Sequence, residues 1–215
     1  QIRIGQACNV ITFHNPIRLA EDIALLDQLS EGRVDVGIGR GIYGREAINM
    51  NKEADLKDQA KNFRLFDESL TIMKKAWTEE FFNHKGEFYT YPTPGFAWQH
   101  DMSPPSKKFL DTETNEIKKI SVVPKPKQQP HPPIWQVVDG ARSIEWAAQN
   151  GLNTIMWIPT VKALKGRFEI YRDAKSKAEN RDVPLGEGIS LVRDMFVAET
   201  MEEAEKMAGE HIINY

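Results

Sequence analysis

Short apolar segments alternate with amphipathic ones along this chain, and this pattern limits the folds that it can form. The apolar segments have the length of buried strands, and the segments between them repeat apolar residues at helical spacing. The clearest helix carries Phe63, Phe66, Leu70, Met73 and Trp77. In chain order the pattern predicts β-α-β-α, a long excursion over residues 79–130, and then β-α-β-α-β-α.

Such alternation predicts a parallel sheet with right-handed crossovers. An open doubly wound sheet and a (β/α)8 barrel both fit, and periodicity alone does not separate them. A complete barrel takes about 250 residues. This chain has 215 residues, which leaves room for about five βα units besides the excursion. Prolines, aromatic residues and the polar run 106–119 predict a hairpin with a charged, mobile tip in the excursion.

The two ends of the sequence bear on domain organisation. Residues 2–5 already read as a strand, and Tyr215 lies inside an apolar-periodic segment. Because domains normally begin and end in loose polar residues, we interpret residues 1–215 as a single domain truncated at both ends.

Composition excludes several functional classes. The 28 Lys and Arg against 31 Asp and Glu give a net charge of −3, which disfavours nucleic acid as a partner. No apolar run approaches the roughly 20 residues that cross a membrane. The single cysteine, Cys8, excludes an internal disulfide and favours a cytoplasmic protein. The five histidines lack metal-ligand spacing, so we expect no metal.

A glycine-rich turn over residues 39–44 follows the predicted strand 33–38. It matches G-x-G-x-x-G, but dinucleotide binding requires a helix at the turn and an acidic residue about 20 positions later. The following fifteen residues lack helical periodicity. We therefore favour a permissive turn that directs Arg40 at a phosphate, which the planar guanidinium binds well. A surface arginine in a flexible turn is the alternative.

A second turn, residues 139–143, lies between the predicted strand 134–138 and the helix 141–150. Its small residues expose backbone N–H groups at a helix N-terminus, which favours an anion. Capping of the helix by Asp139 is an equally weighted alternative. Because both turns follow strand ends, the pair favours a shared phosphate site more than either turn alone.

Three segments together carry a family resemblance. They are residues 14–41, with His14-Asn15-Pro16 and Gly37-Ile38-Gly39-Arg40-Gly41, residues 130–135 and residues 145–152. In order and spacing the chain resembles the bacterial luciferase-like flavin monooxygenases over most of residues 1–158, and the alpha subunit of luciferase in particular. The resemblance implies a TIM barrel, FMN bound as FMNH2, and O2 as cosubstrate.

The resemblance also implies the site residues. Arg40 matches the flavin-phosphate arginine, and Val138, Asp139, Gly140 and Ser143 match the phosphate-binding loop. Gly140 stands where luciferase has a hydroxyl residue, so a backbone N–H would have to replace that contact. No residue of this chain matches the catalytic histidine of luciferase, and the catalytic residue stays unassigned.

Further residues are placed near the flavin by the same resemblance. The Ala7-Cys8 bond matches a non-prolyl cis peptide under the isoalloxazine ring. Tyr43 and Trp157 fall near the flavin or substrate pocket.

The implied function is an FMNH2- and O2-dependent monooxygenase that acts on a small apolar aldehyde, ketone or hydrocarbon through a flavin hydroperoxide. A flavin reductase would supply FMNH2, and a homo- or heterodimer is expected. The alternatives are a deazaflavin-dependent dehydrogenase on the same scaffold and a non-catalytic flavoprotein or partner subunit.

Overall fold

The computed structural model describes residues 2–100, 102, 106–157, 160–193 and 195–213. The chain forms two compact units, residues 1–137 and residues 138–215.

The first unit contains parallel strands joined by helices, as the alternation predicts. Strand β1 pairs in parallel with β2, and β2 pairs in parallel with β5. The elements are β1 (Ile4–Val10), α1 (Pro16–Leu29), β2 (Val34–Gly39), α2 (Gly44–Met50), α3 (Gln59–Thr78), β3 (His84–Lys85), β4 (Thr90–Tyr91) and β5 (Ile134–Val138), which the unit boundary divides. Two 3₁₀ turns, Ile11–Phe13 and Lys52–Ala54, complete the unit.

Local sequence signals set the ends of α1. The side chain of Asn15 accepts hydrogen bonds from the backbone N–H groups of Ile17 and Arg18, and Pro16 begins the helix. Gly32 has a φ of 78°, which a glycine adopts without steric cost, and its N–H donates to the Asp27 carbonyl. In the sequence, Asn15-Pro16 predicts the start of this helix and Gly32 its end, and the structure confirms both.

Helix α3 supplies the core of the first unit. Phe66, Leu70, Met73 and Trp77 are buried on one face, as their spacing predicts. The indole N–H of Trp77 donates to the Ala20 carbonyl at 2.9 Å, so α3 is also hydrogen-bonded to α1.

The excursion contains an antiparallel hairpin of β3 and β4. The Glu68 carboxylate on α3 accepts hydrogen bonds from the backbone N–H groups of Glu87, Phe88 and Tyr89. Isolated bridges at Phe82–Ile120, Ala97–Glu116 and Leu110–Ile117 pair further parts of the excursion. The polar run 106–119 thus takes part in antiparallel pairing, which its composition does not predict.

Helix α2 corrects the sequence analysis. Residues 45–58 lack apolar periodicity, yet the structure forms α2 and the 3₁₀ turn Lys52–Ala54 there. Only Ala47 is buried in α2 and only Ala54 in the turn, so the segment has no apolar stripe to detect. The expectation of a non-helical stretch after the glycine-rich turn was wrong.

The second unit continues the alternation. It contains α4 (Ala141–Gln149), β6 (Asn153–Trp157), α5 (Val161–Glu179), β7 (Ile189–Val192) and α6 (Met201–Ile213). Strands β6 and β7 are parallel. The sequence predicts a strand over residues 189–198, and β7 is shorter than this. Tyr171 is buried and donates its hydroxyl to the Leu152 carbonyl at 2.9 Å. Thr200 followed by Glu203 predicts a capping box at the start of α6, and the Thr200 hydroxyl accepts from the Glu203 N–H there.

Candidate functional site

The glycine-rich turn lies at the carboxyl ends of β1 and β2. Val10 is paired with Gly39 across the two strands, so the end of β1 and the start of the turn lie side by side. A Cβ on Gly39 would approach the Cys8 Sγ to 2.6 Å, and Gly41 has a φ of 84°. Both positions therefore require glycine, and the turn packs directly against Cys8.

Arg40 is held by its main chain and by its side chain. Its carbonyl oxygen accepts from the Thr12 hydroxyl at 3.2 Å and from the Asn62 amide at 3.3 Å. Its Nη1 donates to the Gln59 and Asn62 side chains at 3.4 and 3.3 Å, and the guanidinium lies 5.7 Å from the Phe63 ring centre. Arg40 is half-buried, and these contacts favour a fixed arginine over one in a flexible turn.

A cleft of about 560 Å³ opens at the carboxyl end of β1. The Ala7-Cys8 peptide bond beside it is cis, as the resemblance implies. Burial raises the pKa of the Cys8 thiol, which is therefore neutral at pH 7. The cleft is lined by the end of β1, the following turn and α2: Cys8, Asn9, Val10, Phe13, His14, Arg45, Glu46, Asn49 and Met50.

Sequence reasoning missed the contribution of α2 to this cleft because it predicted no helix there. Tyr43, which it did select, occupies the N-cap position of α2 and is exposed, and it does not line the cleft. The G-x-G-x-x-G match just before α2 is the signal that pointed to a helix, although α2 spans only seven residues.

The second unit carries the turn that follows β5. Val138 is buried, and the exposed Asp139 forms an ion pair with Arg167 of α5 at 2.8 Å. Gly140 is the N-cap of α4, and no side chain accepts a hydrogen bond at this cap. The alternative in which Asp139 caps the helix was wrong, because Arg167 binds its carboxylate instead.

The start of α4 has the features of an anion-binding turn. The first N–H groups of any helix have no intrahelical partner, and a Cβ built on Gly140 would meet no atom within 4 Å. The Ser143 hydroxyl donates to the Gly140 carbonyl at 2.8 Å and closes the first turn. An anion could therefore approach the backbone from the Gly140 side.

Trp157 ends β6, and half of its surface is exposed. Residues 158 and 159, which follow it, lie outside the described residues. The structure thus brings Ala7, Cys8 and the Arg40 turn together within the first unit. Residues 138–143 and Trp157 are placed within the second.

Two general findings concern other classes of site. The described residues contain no group of three or more His, Cys, Asp or Glu that could hold a metal ion. Within the same part of the chain, no helix is both long and apolar enough to cross a membrane.

Comparison with known proteins decides the family. The profile of the luciferase-like monooxygenases matches residues 1–106. The chain is 30% identical over 220 residues to the oxygenase component of a flavin-dependent trigonelline monooxygenase from Acinetobacter baylyi, with 100% of this chain and 51% of that protein covered. The chain belongs to the luciferase-like monooxygenase family.

Further members of the luciferase-like family agree with this. The alkanal monooxygenase alpha chain of the Kryptophanaron alfredi symbiont is 29% identical, over 80% of this chain and 40% of that one. The oxygenating constituent of 3,6-diketocamphane monooxygenase from Pseudomonas putida, solved with FMN, aligns with a TM-score of 0.74 at 23% identity, over 98% of this chain and 53% of that one. The fold is therefore an incomplete (β/α) barrel of the luciferase-like kind, and the chain spans about half the length of these relatives.

Proposed function

We propose that this chain is part of an FMNH2- and O2-dependent monooxygenase. The observation that carries the proposal is the fixed position of Arg40 in the glycine-rich turn, which packs against Cys8 at the carboxyl ends of parallel strands, where barrels of this class bind ligands. The names of the relatives, a flavin-dependent monooxygenase and an alkanal monooxygenase, support the same reaction class.

Residues of the first unit fit the phosphate and the isoalloxazine ring of FMN. Arg40 would bind the phosphate, because a guanidinium gives paired, charge-assisted hydrogen bonds to phosphate oxygens. Ala7 and Cys8 would lie against the isoalloxazine ring, where the neutral thiol adds no charge. Within the second unit, the turn of Val138, Asp139, Gly140 and Ser143 is a further flavin-binding element in this proposal.

Reduced flavin, when bound, supplies the electrons that activate O2. The part of the protein is to bind the cofactor, orient the substrate and exclude water from the cleft. Tyr43 lies outside the cleft lining, and we propose it as a contact for a part of the flavin or substrate that extends beyond the cleft. Within the second unit, Trp157 is proposed as a further flavin or substrate contact.

The substrate is a small apolar aldehyde, ketone or hydrocarbon in this proposal. Val10, Phe13 and Met50 give the cleft an apolar wall, and Asn9 and His14 offer polar atoms for a single carbonyl oxygen. The diketocamphane and alkanal monooxygenases are named after carbonyl substrates of this kind.

A flavin reductase would supply FMNH2 as a separate partner. The Acinetobacter relative is named an oxygenase component, which implies a second component. The luciferase relatives are named as alpha and beta chains, so a homo- or heterodimer is proposed. The single cysteine favours a cytoplasmic location.

The test is to mix the purified protein with FMNH2 without oxygen, admit O2, and follow flavin reoxidation and aldehyde oxidation. A monooxygenase slows reoxidation relative to free FMNH2 and converts the aldehyde to the acid. Reoxidation at the rate of free flavin contradicts the proposal. Hydride transfer to a deazaflavin without O2 would favour the dehydrogenase, and strict dependence on a second polypeptide would favour a partner subunit.

A further inference from the structure

Asn62 is a buried polar residue on α3 that the sequence analysis did not select. It is fully buried, and its side-chain amide is hydrogen-bonded to two neighbouring segments of the chain. Its Oδ1 accepts from Arg40 Nη1 at 3.3 Å, and its Nδ2 donates to the carbonyl oxygens of Arg40 and Ala54 at 3.3 and 3.0 Å. Two of these three hydrogen bonds go to Arg40, one to its main chain and one to its guanidinium.

The orientation of the Asn62 amide is determined by chemistry. A guanidinium has only donors and a carbonyl oxygen only accepts. The amide oxygen must therefore face Arg40 Nη1, and the amide nitrogen must face the two carbonyl groups. The reverse orientation would place donor against donor and acceptor against acceptor inside the core, where unmatched polar groups are costly.

The neighbours of Asn62 on α3 contact the same side chain. Gln59 accepts from Arg40 Nη1, and the Phe63 ring lies under the guanidinium. Residues 59, 62 and 63 follow the i, i+3, i+4 spacing of one helix face. Gln59 is exposed, and its hydrogen bond to Arg40 is the longer one, at 3.4 Å. The hydrogen bond between Arg40 and the buried Asn62 is therefore the better shielded from water.

We propose that Asn62 is a positioning residue that orients Arg40 for the cofactor phosphate. The inference rests on the proposed function, in which Arg40 binds that phosphate. Asn62 does not touch the cofactor in this proposal. It reduces the conformational freedom that Arg40 would otherwise lose on binding, and such preorganisation strengthens affinity without adding a contact to the ligand.

The experiment compares FMN with riboflavin, which has the same ring system and no phosphate. Dissociation constants are measured by fluorescence titration for the parent protein, Asn62→Leu, Arg40→Ala and the double variant. We expect Asn62→Leu to weaken FMN binding about fivefold and riboflavin binding less than twofold. We expect no further loss of FMN affinity when Asn62→Leu is added to Arg40→Ala, because the residue then has no guanidinium to orient.

Controls separate positioning from general stability. Ser69→Ala changes another fully buried polar residue of α3, seven residues further along, and should leave the FMN-to-riboflavin ratio unchanged. If Asn62→Leu does not fold, Asn62→Ser replaces it, since the shorter hydroxyl cannot span the same contacts. Equal weakening of FMN and riboflavin by the Asn62 variant, or additive losses in the double variant, would overturn the proposal.

The same data distinguish a failure of the phosphate role of Arg40 from a failure of the positioning role of Asn62. If Arg40→Ala leaves the preference for FMN over riboflavin unchanged, the phosphate role of Arg40 fails, and the inference fails with it. If Arg40→Ala abolishes the preference and Asn62→Leu does not alter it, only the role of Asn62 fails.

Discussion

The Asp139 carboxylate, in the turn after β5, is paired with the Arg167 guanidinium of α5 at 2.8 Å. This pair, rather than a helix cap, accounts for the position of the Asp139 side chain. It also places a negative charge at the turn that we propose as a flavin-binding element, so Asp139 would bind an anion through its backbone and not through its carboxylate.

Asp139→Asn should therefore strengthen FMN binding slightly. Removal of a carboxylate beside an anion site is expected to lower the dissociation constant about twofold at low salt, and 0.5 M NaCl should abolish the effect. Because Asp139 is 88% exposed, the free energy of unfolding should change by less than about 0.5 kcal/mol. Asp182→Asn, an exposed residue of the same unit, is the matched control. Weaker FMN binding in Asp139→Asn alone would contradict the assignment.

Trp77→Phe should destabilise the first unit. The substitution leaves a cavity in a buried site and deletes the hydrogen bond from the indole N–H to the Ala20 carbonyl. We expect the free energy of unfolding to fall by about 2 kcal/mol, measured by urea denaturation. Trp157→Phe changes a half-exposed tryptophan and should cost less than about 0.5 kcal/mol. Equal losses in the two variants would show that burial of Trp77 does not determine the effect.

Glu68→Gln should release the hairpin from α3. Both carboxylate oxygens accept backbone N–H groups from residues 87–89. Glutamine keeps one neutral acceptor oxygen and places at the other position an NH2 group, which cannot accept them. Hydrogen bonds to a charged acceptor contribute about 1.5–3 kcal/mol, so amide exchange at residues 87–89 should accelerate tenfold or more. Glu80→Gln, an exposed glutamate that pairs with Lys108, is the control. Unchanged exchange at these amides in Glu68→Gln would be incompatible with this anchoring role.

Protonation of His131 should destabilise the first unit at acidic pH. Burial lowers the pKa of this imidazole, whose Nδ1 lies 2.8 Å from the Pro132 carbonyl and whose ring packs against Trp77. The unfolded chain, with an ordinary pKa of about 6.5, then binds the proton more readily than the folded one. The contribution of His131 is therefore present above about pH 6.5 and is lost as the pH falls through the folded pKa.

The measurement is urea denaturation at pH 7.5 and at pH 5.5. His131→Gln should reduce the loss of unfolding free energy between the two conditions, since its side chain does not titrate. His100→Gln, at an exposed histidine, should retain the full loss. If the parent protein, His131→Gln and His100→Gln lose the same unfolding free energy between the two pH values, a group other than His131 causes the loss.

Much of the fold follows from local signals. The Asn15 cap, Gly32 and the apolar stripe of α3 act within a few residues, so the sequence predicts α1 and α3 correctly. Helix α2 lacks such a signal because it buries only Ala47.

The site is less predictable because its contacts join distant segments. Arg40 could be selected from its turn, but its contacts with Thr12 and Asn62 exist only after β2, α3 and the Ile11–Phe13 turn have packed together. From the sequence, a buried asparagine inside an amphipathic helix cannot be distinguished from a solvent-exposed one. The Asp139–Arg167 pair was missed for a similar reason, since two local roles, capping and anion binding, fit the turn equally well.

Binding of the FMN phosphate by Arg40 is tested by the affinity of Arg40→Ala for FMN and for riboflavin. Arg18→Ala, at an exposed arginine of α1 that pairs with Glu21, serves as the control. Loss of a charge-assisted hydrogen bond should weaken FMN binding by about 1.5–3 kcal/mol and leave riboflavin binding unchanged. FMN affinity in Arg40→Ala equal to that of the parent protein would contradict the account.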